Sequence, residues 1–304
     1  MKILLPTDGS EHSEVAAKFL TCLNLSVEDE ITIFHTTYWG PPLWYIKEFG
    51  EESHYKALKA IKKEIAPRII DSVLRILQPV KARISTAIVE GCSAEDCIIE
   101  AAVDSDMDLI VMGAQGIRGI KSFFIGSVTR EVSIKAPKPV LIVKLPTHEK
   151  PAGLKVLFAT DGSDNSRDTG KFLSRAPFYD DMEISILNVM PSEALDIPRT
   201  FDPGVIEEII DVEEKIRETR VAESKRIIEY ARELLGKKFS SVNVISEFGD
   251  SSREILKIAE ELKANLIVVG CRGLRGIKGM MGSVSRNILS HSECSVLIGK
   301  TCKD

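Results

Sequence analysis

Apolar positions along the chain fall into two kinds of segment that alternate from one end to the other. Short β-branched and aliphatic runs at 2–5, 31–36, 82–88, 109–112 and 140–143 have the strand pattern. Between them, helical periodicity covers 10–22, 52–77, 94–103 and 127–135. The same succession then begins again. Strands are predicted at 155–159, 183–189, 242–246, 266–269 and 296–298, with helices at 164–175, 205–235, 252–262 and 283–290. Alternation of strand and helix predicts βαβ units and a parallel sheet. Runs such as Leu109-Ile110-Val111-Met112 and Leu266-Ile267-Val268-Val269 are apolar at every position. Such strands have both faces covered, so helices are expected on both sides of the sheet.

The repetition extends to particular residues. Ile3-Leu4-Leu5-Pro6-Thr7-Asp8-Gly9-Ser10 returns as Val156-Leu157-Phe158-Ala159-Thr160-Asp161-Gly162-Ser163. Each is followed, after the fourth strand, by a glycine-rich loop: Gly113, Gly116, Gly119 and Gly126-Ser127, then Gly270, Gly273, Gly276, Gly279 and Gly282-Ser283. Each copy then ends on a short apolar strand and a lysine, Lys138-Pro-Val-Leu-Ile-Val-Lys144 and Cys294-Ser-Val-Leu-Ile-Gly-Lys300. Three landmarks in one order mean a duplicated domain, since a unit this long is no solenoid repeat. The expected division is 1–145 and 154–304, joined by a linker at 146–153 that holds two prolines, a glycine and charges. Gly40-Pro41-Pro42, and Pro191, Pro198 and Pro203, mark irregular excursions before the long second helices. The charged pattern of the helix from 205 reads as a solvated surface.

Composition narrows the function. Hydrophobic residues are 44% of the 304, enough for two cores, and the net charge of −5 argues against a nucleic-acid binder. Basic residues gather locally at the glycine loops, Arg118, Lys121 and Arg130 in one copy and Arg272, Arg275, Lys278 and Arg286 in the other. A cationic patch on an acidic chain suits a small anionic ligand. No apolar stretch is long enough to cross a bilayer, and Thr7-Asp8-Gly9-Ser10 cuts the opening run too short for a signal peptide. A cytoplasmic protein without nucleic-acid or membrane partners is expected. The six cysteines form no C-x-x-C and do not match between copies, so reduced, mostly buried thiols are expected. His12 has no histidine as its counterpart in the second copy, which leaves no shared catalytic histidine.

The glycine loop carries the candidate chemistry. Glycine lets backbone N–H groups approach an anion, and a helix N-terminus adds free donors and a favourable dipole. Ser127 can cap that helix or offer its hydroxyl. The loop and the T-D-G-S turn both follow strands, and ligands of open parallel sheets bind at strand carboxyl ends. A carboxylate repels phosphate. Asp8 and Asp161 therefore belong at the other end of a nucleotide, receiving a base amino group or ribose hydroxyl, unless they cap the helix that follows.

At these residues the chain resembles the universal stress protein family, in its tandem form. The nucleotide-binding pattern G-x2-G-x9-G-[S/T] fits Gly113, Gly116, Gly126 and Ser127 without adjustment. The P-T-D-G-S opening, the His35-Thr36 ending of the second strand and the final P-V-L-I-V strand match as well. The resemblance implies two copies of a Rossmann-like, open five-stranded parallel sheet with helices on both faces, the adenine nucleotide alpha hydrolase-like fold. It implies binding of ATP or AMP, with Mg²⁺ an accompaniment to ATP. Pro6, Thr7 and Asp8 would line the adenosine side and the Thr36 backbone would face adenine. Gly113, Gly116, Gly126, Ser127 and Val128 would hold ribose and phosphates. The matching positions are Ala159, Thr160, Asp161, Val189, Gly270, Gly273, Gly282, Ser283 and Val284.

The copies are unequal. Nine residues separate Gly116 from Gly126, but eight separate Gly273 from Gly282. Donors in a phosphate cradle must converge, so the shorter loop is expected to make the second site the weaker one. Phe123-Phe124, with Met280-Met281 nearby in the other copy, are expected to pack beneath the loops rather than touch a ligand. Terminal apolar strands invite pairing. The resemblance implies that such strands pair antiparallel across a dimer, so an intramolecular pseudo-twofold pair is expected, with a homodimer as a further level. No Walker lysine and no nucleophile–base pair recurs in both copies. Nucleotide-dependent conformation or assembly in a stress response is therefore the leading expectation. A slow Mg²⁺-dependent ATPase and a nucleotide-free interaction module are the alternatives.

Overall fold

The computed structural model describes residues 1–37, 54–91, 93–116, 125–144, 153–192, 203–274 and 281–300. The first half runs β1 (Lys2–Pro6), α1 (Glu11–Leu20), β2 (Glu30–Thr36), α2 (His54–Ile76), β3 (Arg83–Val89), α3 (Ala94–Asp104), β4 (Leu109–Gly113), α4 (Ser127–Lys135) and β5 (Val140–Val143). The second runs β6 (Lys155–Ala159), α5 (Asp164–Arg175), β7 (Glu183–Met190), α6 (Pro203–Leu235), β8 (Ser241–Phe248), α7 (Ser251–Glu261), β9 (Leu266–Gly270), α8 (Ser283–His291) and β10 (Ser295–Gly299).

All ten strands form one sheet in the order β3-β2-β1-β4-β5-β10-β9-β6-β7-β8. Within each half the pairings are parallel. At the centre β5 and β10 pair antiparallel, with Leu141 opposite Leu297. The expected pairing of terminal strands therefore occurs within the chain and makes the two halves one sheet. Every residue of β5 and β10 is buried.

Two apolar clusters lie on opposite faces of the sheet, and each runs through both halves. Ile3, Leu5, Val111, Leu141 and Phe158 belong to one, with helix residues such as Phe19 and Leu173. Leu4, Ile110, Ile142, Leu157 and Ile298 belong to the other, with Val132 and Ile288. Alternate residues of one strand feed opposite cores, which is why these runs lack polar positions.

The predicted elements are present, with ends shifted by a few residues. The expectations for 146–152, Phe123-Phe124, Met280, the excursions at 40–42 and Pro198, and the start of the second helix at 52–53 concern positions outside the described residues. Helix α2 contains Pro67 in its interior. One expectation is corrected. Cys22, Cys271 and Cys294 are free, but Cys97 is disulfide-bonded. Its partner lies outside the described residues, and matching C-x-x-C spacing could not have revealed it. Among the described residues, no helix is long and apolar enough to cross a membrane.

Candidate functional site

Strand order reverses between β1 and β4, and again between β6 and β9. The two connections leaving each such pair diverge to opposite faces and open a crevice at the carboxyl ends. The T-D-G-S turn and the glycine loop meet there in both halves.

The turn is built the same way twice. Gly9 and Gly162 have φ of +78° and +75°, a conformation that favours glycine. Ser10 and Ser163 cap helices α1 and α5, their hydroxyls accepting from the Ser13 and Ser166 amides. The aspartates are thus not the helix caps. Asp8 Oδ1 accepts from the Ser10 amide and Asp161 Oδ1 from the Ser163 amide, each at 3.0 Å, which folds the turn. Asp161 Oδ2 also accepts from the Leu274 amide at 3.0 Å, tying turn to loop. The Thr7 and Thr160 hydroxyls donate to Ser13 and Ser166 Oγ at 3.0 Å. Behind them, His35 Nδ1 donates to the Thr7 carbonyl at 2.7 Å, and Asn188 Nδ2 donates to the Thr160 carbonyl at the same distance. The carbonyl acceptor fixes the Nδ1–H form of His35. Asn188 is a substitution that the sequence motif did not register, because an amide replaces an imidazole as donor.

The glycine loops rejoin their helices identically. Gly126 N–H donates to the Ala114 carbonyl and Gly282 N–H to the Cys271 carbonyl, each at 2.8 Å. Both glycines are N-caps with nearly equal backbone angles, φ −61° and ψ 152° against φ −64° and ψ 157°. The Thr129 hydroxyl donates to the Gly113 carbonyl and the Ser285 hydroxyl to the Gly270 carbonyl. Neither helix start uses a side-chain cap, so its first amides lack that partner. The chain thus re-enters its helix with the same geometry in both halves, while the loop residues that differ in number, at 117–124 and 275–280, lie outside the described residues.

In the second half the crevice is a cavity of about 410 Å³. All nine candidate residues of that half line it: Ala159, Thr160, Asp161, Val189, Gly270, Gly273, Gly282, Ser283 and Val284. Leu187, Ile255 and Met281 add apolar wall, and Ser166, Ser251 and Arg272 add polar groups that the motif did not name. Arg272 was legible as a basic residue of the loop, whereas Ser251 and Ile255 come from a helix remote in sequence. Met281 is buried and lines the cavity, whereas the sequence predicts packing beneath the loop rather than contact with a ligand.

In the first half Pro6 ends β1 opposite Phe34, and Thr7 is buried beside it. Gly113 ends β4, Gly126 caps α4, and Ser127 and Val128 open that helix. Asp8 and Gly116 are in close approach, since a Cβ on Gly116 would lie 2.5 Å from Asp8 Oδ2. Thr36 ends β2, and its hydroxyl donates to Cys97 Sγ at 3.8 Å. Arg118 and Lys121, like Arg275 and Lys278, lie outside the described residues. Among the described residues no group of three or more His, Cys, Asp or Glu side chains is placed to hold a metal.

Comparison with known proteins agrees with this architecture. Universal stress protein YxiE of Bacillus subtilis is 36% identical over 148 residues, 47% of this chain and 97% of that protein. Universal stress protein MJ0531 of Methanocaldococcus jannaschii is 30% identical over 148 residues, 49% of this chain and 84% of that protein. A universal stress protein structure from Archaeoglobus fulgidus superposes with a TM-score of 0.61 at 24% identity, over 100% of this chain and 97% of that one. The model of the universal stress protein family matches twice, at residues 1–144 and 154–300, so the chain belongs to the universal stress protein family and carries the family's domain in tandem.

Proposed function

We propose that the chain binds an adenine nucleotide, ATP or AMP, at each switch-point crevice. Its action would be through nucleotide-dependent conformation or assembly in a stress response. The two domains would be 1–145 and 154–304. The observation that supports this most is the second-half cavity, where a duplicated motif lines one half-open crevice with walls of different chemistry. Val189, Leu187 and Ile255 offer apolar surface for a base. Asp161 keeps acceptor capacity beyond its two backbone bonds and serves a ribose hydroxyl or base amino group. Ser283 and Val284 open α8, where amide donors and the helix dipole favour phosphate. Any Mg²⁺ would arrive on the phosphates.

The test uses Ser127→Asp and Ser283→Asp together. Both serines are exposed and occupy the first position of a helix. A carboxylate there favours the helix by roughly 0.3–1 kcal/mol but repels phosphate. The expected result is an unimpaired melting temperature with ATP affinity reduced about tenfold or more. Unchanged affinity in a folded double variant would contradict the assignment.

A further inference from the structure

Both terminal strands are followed by a lysine, and neither lysine stays in its own half. Lys144 leaves β5 and sends its ammonium to the end of α8, donating to the Leu289 carbonyl at 2.9 Å, the Ser292 carbonyl at 2.7 Å and Ser292 Oγ at 3.0 Å. Lys300 leaves β10 and reaches the end of α4, donating to the Ser133 carbonyl at 2.9 Å and the Ile134 carbonyl at 3.2 Å. An ammonium has three donors, so Lys144 is fully satisfied. The carbonyls it takes are among those that a helix C-terminus leaves without partners.

Burial pushes the Lys144 ammonium down to about 8, against the favourable Cys294 thiol nearby. Burial also lowers Lys300, which feels Cys271 and Arg272. A charge kept out of water in this way must be held by fixed acceptors. The two helices so held are α4 and α8, whose other ends are the Gly126-Ser127 and Gly282-Ser283 sites. Each helix has nine residues, about 13 Å of rise, so fixing one end fixes the aim of the other.

We infer that Lys144 and Lys300 are positioning residues exchanged between the halves. Lys144 aims the phosphate-binding end of the second half's α8, and Lys300 aims that of the first half's α4. The cation at the helix C-terminus and the anion at the N-terminus both align with the helix dipole. Each site is therefore completed by the opposite half, and the duplicated chain is a reciprocal unit. This rests on the nucleotide reading above.

The experiment is crosswise. In the full chain carrying Ser127→Asp, which leaves the second site, Lys144→Met is expected to lower ATP affinity about fivefold. In the chain carrying Ser283→Asp, which leaves the first site, Lys144→Met is expected to change nothing, while Lys300→Met gives the mirror image. Hydrogen exchange measured without nucleotide supplies a second readout. Amides at 288–292 should exchange about tenfold faster in Lys144→Met, and those at 132–136 should not. Lys144→Gln, which keeps a donor, should show a smaller effect in the same direction and serves if the methionine variant fails to fold. Equal losses at both sites, or no loss at either, would overturn the inference. Absence of ATP binding to the unmodified chain would instead overturn the nucleotide reading, which the wild-type titration registers separately.

Discussion

Gly113 and Gly126 belong to one spacing motif but answer to different constraints. A Cβ on Gly113 would lie 2.4 Å from the His12 carbonyl oxygen, an atom of the α1 backbone that cannot swing aside. A Cβ on Gly126 would meet nothing closer than 3.4 Å, and its φ of −61° suits any residue. The first glycine is thus demanded by helix packing against the strand end, whereas the third leaves room at a helix start. Gly113→Ala is expected to cost about 1–3 kcal/mol of stability, while Gly126→Ala stays within about 1 kcal/mol of wild type. Urea denaturation of the two variants checks this, and equal losses would contradict it. Gly116 stands between these cases. Its obstacle is an oxygen of the Asp8 carboxylate, so a Cβ there would force that carboxylate to shift.

At the scale of elements, β5 and β10 decide what kind of molecule this is. Each is short, fully buried and flanked by its own parallel neighbour on one side and the other half on the other. Leu141 and Leu297 face each other across the seam, each 1% exposed. Truncation there removes packing from the join itself. Leu141→Ala is expected to destabilise the chain by about 2–5 kcal/mol, read from the denaturation midpoint. A shift no larger than that of an exposed substitution such as Val27→Ala would show that the seam contributes little. Val27 is 69% exposed and serves as the control.

At the scale of the molecule, the sequence spoke most clearly where physics leaves few choices. Fully apolar runs admit only strands covered on both faces, and the repeated order of turn, loop and terminal strand located both crevices. Several site features could not be read that way. Asn188 does the work of His35 with a different side chain. Ser251 and Ile255 reach the cavity only through tertiary folding. The count of loop residues suggests unequal cradles; the helix starts that follow share one geometry, and the loops between lie outside the described residues. Lys144 and Lys300 ended legible motifs, but their crossing to opposite helices depends on the antiparallel seam. The central claim is that this arrangement holds adenine nucleotide in both halves. Calorimetric titration of the full chain with ATP tests it most directly. The account predicts saturable binding at two sites per chain, and no binding up to about 5 mM ATP, weaker than roughly −3 kcal/mol, would contradict it.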